Sequence, residues 1–70
     1  MPRYVVGQHV ELLPEIPSPE GGTILPGTEA VVREVDTTTP NFQYLVVFID
    51  EGHPNGELVW LGENDIVEAG

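Results

Sequence analysis

The sequence predicts an all-β fold in a single domain spanning residues 1–70, on three observations. The longest apolar run, Tyr44-Leu45-Val46-Val47-Phe48-Ile49, is short, β-branched and aromatic. Turn formers bound it at Pro40-Asn41 and at Asp50-Glu51-Gly52, the marks of a buried strand. Four prolines and the Gly21-Gly22 pair preclude regular helix or central strand between Pro14 and Pro26. Nowhere does the chain carry the apolar spacing of an amphipathic helix.

Along the chain, Tyr4-Val5-Val6-Gly7 is an apolar lead into a turn. Gln8 to Leu13 alternates as a first strand, with Val10 and Leu12 on one face and His9 and Glu11 on the other. Pro14 ends it. The connection from Pro14 to Pro26 is long for so small a domain, and long loops are commonly functional or disordered. Its prolines stiffen it, and Ile16, Ile24 and Leu25 can anchor it. It is expected to be an ordered arm over one side of the core.

Pro26-Gly27 turns the chain into a second strand, Thr28 to Val35. Ala30 and Val32 share a face there, yet the next apolar residue is Val35 and not Glu34. A bulge or strong twist at Arg33-Glu34 would restore the pattern. After the polar loop Asp36 to Asn41 comes the central strand. Phe42, Tyr44, Val46 and Phe48 lie on one face, which the aromatic side chains direct toward the core. Gln43, Leu45, Val47 and Ile49 lie on the other. A face open to water would alternate with polar residues, so Leu45, Val47 and Ile49 call for a cover: a closing sheet, a chain terminus or another molecule.

Asp50 to Glu57 is turn chemistry, with Asn55-Gly56 as its hairpin signal. Leu58 to Leu61 is a fourth strand, broken by Gly62. Glu63-Asn64-Asp65 fits one short helical turn, and Ile66-Val67-Glu68 a last strand. Small all-β chains remove their edges by closing up. Five short strands, a long Pro-rich first loop and one helical turn before the last strand are the order of an SH3-like small barrel.

Charge limits the partners. Twelve acids face two arginines, a formal net charge of −10. This field repels phosphates and anionic lipid surfaces, so neither nucleic acid nor membrane is an expected direct partner. A protein with a basic surface is. The acids read as a solvated surface or, more sharply, as a mimic of the phosphate array that inhibits a basic nucleic-acid-binding protein. With no cysteine, disulfides and thiolate metal sites are excluded, and His9 and His53 cannot alone complete a structural zinc site. No apolar run approaches the ~20 residues of a membrane span, and a soluble cytoplasmic protein is expected.

Sites for chemistry are few. Asp50, Glu51 and His53 cluster on a turn, but metal binding wants three or four ligands in defined geometry, and these residues also suit a solvated turn. Hydroxyls such as Ser18 have no base spaced to activate them. No enzyme activity and no cofactor are expected. Trp60 shares a strand face with Leu58; it either closes the barrel by half-buried packing or serves as an exposed anchor, since interfaces are rich in tryptophan. The candidate partner-binding residues are therefore Trp60, Leu45, Val47, Ile49, Ile16 and His53. The occupant is another protein or, through the outer face of the central strand, a second copy.

Four segments carry a resemblance: Val6-Gly7-Gln8-His9-Val10, Pro26-Gly27-Thr28-Glu29-Ala30-Val31-Val32, Tyr44-Leu45-Val46-Val47-Phe48 and Leu61-Gly62-Glu63-Asn64-Asp65-Ile66. Together they resemble a group of SH3-like barrels. Nearest is the ferredoxin–thioredoxin reductase variable chain, then photosystem I subunit IV and the C-terminal barrel of the nitrile hydratase β chain. The shared motifs are architectural: glycine turns, a Tyr-x-Val-x-Phe strand and a Gly-Glu-Asn turn. The resemblance implies a non-catalytic module that docks onto another protein within a larger complex. One departure is the charge sign, because barrels that engage an acidic ferredoxin want positive charge. The stretch from Gly27 to Val35 is also similar to RNA-binding ribosomal and transcription-factor barrels. Those have glycine where Ala30 stands, with basic residues around it.

Overall fold

Period-two alternation becomes an antiparallel five-stranded sheet in the computed structural model of the chain. The structure describes residues 3–18, 21–39, 43–50 and 53–69, with side chains left out at 50 and 53–56. The strands are β1 (His9–Leu12), β2 (Ile16–Pro17), β3 (Thr23–Ile24), β4 (Glu29–Asp36), β5 (Gln43–Asp50), β6 (His53–Gly62) and β7 (Ile66–Glu68). The main sheet runs β6-β5-β4-β1-β7, and β2-β3 form a separate two-stranded ribbon.

The inner face of this sheet is the core. Val10 and Leu12 of β1, Ala30 and Val32 of β4, and Tyr44, Val46 and Phe48 of β5 are all buried. Phe48 sits opposite Ala30, so the small residue leaves room for the large one. The expected bulge is present: the register steps from Val32↔Val46 to Glu34↔Leu45, leaving Arg33 as the extra residue. Val35 thereby returns to the inner face opposite Tyr44 and packs against the core.

The N-terminal lead closes one end. Tyr4 is buried, and its ring meets Tyr44 edge-on at 5.3 Å and 76°. Buried tyrosines need partners for their hydroxyls. Tyr4 Oη donates to the Ile66 carbonyl at 3.2 Å, and Tyr44 Oη accepts the Arg3 N–H at 3.0 Å. At the C-terminal end of β4, next to Val35, Asp36 Oδ1 accepts the Thr38 N–H at 2.9 Å and its hydroxyl at 2.6 Å. These bonds favour the ionised form and hold the Asp36 carboxyl below its ordinary pKa, the hydroxyl bond more strongly than the amide.

The proline-rich connection carries more ladder than expected. Ile16 pairs with Ile24 and Pro17 with Thr23. Proline is tolerated because both ribbon strands are edges. Ile24 enters the core and Ile16 packs against it, while Leu25 is exposed and outside the core cluster.

The hairpin between β5 and β6 does not turn at Asn55-Gly56, where its sequence signal would have it. Asp50 pairs with His53, and Asn55-Gly56 lies inside β6. Between Val47↔Leu58 and Ile49↔Pro54, β6 advances further than β5. The Asn-Gly pair thus falls in an irregular stretch of the ladder, where glycine is also at home. The fourth strand is accordingly longer than Leu58 to Leu61.

β6 ends at Gly62, whose N–H donates to Asp65 Oδ2 at 3.3 Å across a 3₁₀ turn, Glu63–Asp65. Gly27 makes the turn into β4 at φ +87°, and its N–H donates to the Leu12 carbonyl at 2.7 Å. A Cβ there would meet nothing within 4 Å, so the backbone conformation is the whole cost of a side chain. Gly27→Ala should lower stability by roughly 1–2 kcal/mol, read as a lower urea midpoint at unchanged slope.

Candidate functional site

The outer face of the sheet is built by the same alternation that builds the core. Register puts two rungs across β4, β5 and β6: Glu34–Leu45–Trp60 and Val31–Val47–Leu58. Directly opposed side chains stand close enough to touch. Val47, flanked on both sides by apolar neighbours, is only 4% exposed, although it does not belong to the inner core cluster. Leu45 is half-buried. Both rungs end at the β6 side in large apolar residues about half exposed, Leu58 at 49% and Trp60 at 48%.

Trp60 therefore points away from the core, while Val59 and Leu61 turn inward: Leu61 is buried and Val59 packs against the cluster. The three outer residues of β5 meet different environments. Val47 is buried, with Val31 and Leu58 as its register neighbours. Ile49 shares a cleft of about 270 Å³ with Ile24, Leu25 and Phe48, rimmed by Thr23, Thr28 and Glu57. Leu45 lies next to the open end at Trp60. Ile16 sits apart from this face, on the ribbon. The side chain of His53, and Glu51 with the proposed turn cluster, lie outside the described residues, as does Phe42.

Ser18 Oγ donates to Glu57 Oε1. Sequence reading missed this contact because the partners are 39 residues apart and no local pattern joins them. It fastens the proline-rich loop to β6 beside the cleft. On the far side of the outer face, His9 Nδ1 lies 2.5 Å from Glu29 Oε2. The two diagonal neighbours flank Val31, which stands directly opposite His9. Glu29 and Glu34 border the apolar rungs with negative charge, beside His9 and the exposed Arg33.

Among the described residues, no group of three or more His, Asp or Glu side chains could hold a metal ion. No described helix is long and apolar enough to cross a membrane. Arg3 is engaged over the Tyr4 ring at 5.8 Å, an arrangement favourable to a cation. With twelve acids against two arginines, self-repulsion should weaken the fold at low ionic strength. The thermal midpoint is expected to rise from low to moderate salt, and a flat midpoint would refute that electrostatic reading. No family model, curated protein or solved structure matches the chain.

Proposed function

We propose that the chain is a non-catalytic protein-binding module, an accessory or regulatory component of a larger complex, that docks through its outer sheet face. The observation that carries this reading is the pair of apolar rungs ending in half-exposed Leu58 and Trp60. Grouped exposed apolar residues rimmed by charge are the usual composition of a contact surface. The partner is a protein with a basic surface, matching the net charge of −10. The strand order, the long first loop and the 3₁₀ turn before the last strand support an SH3-like barrel as the scaffold. Cytoplasmic residence belongs to the same proposal.

Mimicry of nucleic acid is the competing reading, favoured by the charge alone. Salt separates the two. The binding constant of a partner co-purified from the native host should change by about tenfold or less between low and moderate salt if apolar docking dominates. A phosphate mimic that replaces many phosphate contacts should lose on the order of 10³-fold or more. A loss of that size would transfer the assignment to mimicry.

A further inference from the structure

β6 is an edge strand of the main sheet, and among the described residues it pairs with β5 alone. Alternate backbone N–H and C=O groups along it therefore point away from the sheet. Among the described residues, no loop or turn backbone hydrogen-bonds to Leu58, Val59, Trp60 or Leu61. Sheet edges are ordinarily blunted by shortness, charge, proline or a covering segment. The opposite edge, β7, has only three residues and includes Glu68. From Leu58 to Gly62, β6 offers five successive residues with no charge and no proline. Its Pro54 and its irregular register lie toward the other end.

The side chains along this edge sort by parity. Leu58 and Trp60 stand half exposed on the outer face, continuous with Val47 and Leu45. Glu57 precedes the stretch and Glu63 follows it. A second copy of this edge would bring together two chains of charge −10 without a basic residue between Glu57 and Glu63 to offset them. Charge complementarity favours a different occupant.

We propose that the free edge of β6 adds a strand from the partner, an extended segment in which apolar side chains alternate with lysine or arginine. This rests on the outer face being the partner surface and specifies how it is engaged. Backbone groups of the segment bond the open edge from Leu58 to Gly62, as in other strand additions. Its apolar side chains lie beside Leu58 and Trp60. Its basic side chains take the other face, where strand parity also places Glu57. Glu57 keeps its contact with Ser18 and contributes its charge.

The test uses the isotope-labelled full chain and three synthetic peptides. One alternates valine and arginine. The second is the same peptide with alternate backbone nitrogens methylated, and the third carries glutamate in place of arginine. The first should give saturable shifts of the Leu58–Gly62 amides and the Trp60 indole, with new exchange protection on the outward-facing amides. Methylation removes several backbone donors and should weaken binding on the order of tenfold or more. Equal binding of the methylated peptide, with the indole still shifted, would overturn strand addition and leave face docking standing. Equal binding of the glutamate peptide would overturn the basic character of the occupant. Absence of any saturable shift on β6 with the arginine peptide would overturn the inference itself. Concentration-dependent protection of β6 in the chain alone would assign the edge to a second copy instead.

Discussion

Phe48→Ala is expected to remove a large share of the fold's stability. Phe48 is among the largest fully buried side chains, and it faces Ala30 across the β4–β5 ladder. Truncation removes the ring and leaves a space that Ala30 cannot fill. Buried Phe→Ala changes cost about 3–5 kcal/mol. Domains are stable by roughly 0.05–0.15 kcal/mol per residue, so for a chain of 70 residues, stable by roughly 4–10 kcal/mol, that loss is a large share of the total. Denaturant melts followed by circular dichroism should show a much lower midpoint or a missing folded baseline. A midpoint close to that of the unaltered chain would mean that Phe48 is not at the centre of the core.

Trp60→Ala is expected to do the opposite: keep the fold and lose the partner. The side chain is half exposed and faces away from the buried cluster. Removing it takes little from the core and leaves Val59 and Leu61 in place. At an interface, aromatic anchors whose truncation costs about 2–4 kcal/mol dominate binding, equivalent to a loss of roughly 30- to 1,000-fold in affinity. The co-purified partner, titrated against both forms at one salt concentration, gives the ratio. Val67→Ala serves as the control, because Val67 is also exposed but lies on β7 at the other edge of the sheet.

The contrast between Phe48 and Trp60 shows how much of the fold was legible. Strand parity alone placed Tyr44, Val46 and Phe48 inward and put Leu58 and Trp60 together on one face. The misplaced hydrophobe Val35 announced the bulge at Arg33. Gly62 and the Glu-Asn-Asp run announced the 3₁₀ turn at Glu63–Asp65. These features are written in short-range alternation and turn chemistry.

What was not legible depends on which strand pairs with which residue. The strongest local hairpin signal, Asn55-Gly56, lies within β6, because the register between β5 and β6 is set by the whole ladder. The rungs in the proline-rich loop and the Ser18–Glu57 contact likewise join residues with no shared local pattern. The same limit applied to Leu45, Val47 and Ile49. Their sequence called for a cover but could not divide it. The structure divides them: Val47 is buried, standing between Val31 and Leu58 in the ladder, Ile49 shares a cleft with the first loop, and Leu45 stands beside Trp60.

The open end at Trp60 is the proposed docking site for a protein partner, and the chain carries a built-in reporter of it. Trp60 is the only tryptophan, so its indole N–H gives a single resonance in an ¹⁵N-correlated spectrum. On titration with the partner co-purified from the native host, that resonance should shift or broaden to saturation, together with the amides of Leu45 and Leu58. An indole resonance that stays fixed while amides elsewhere on the chain move to saturation would contradict the claim and place the contact on another surface.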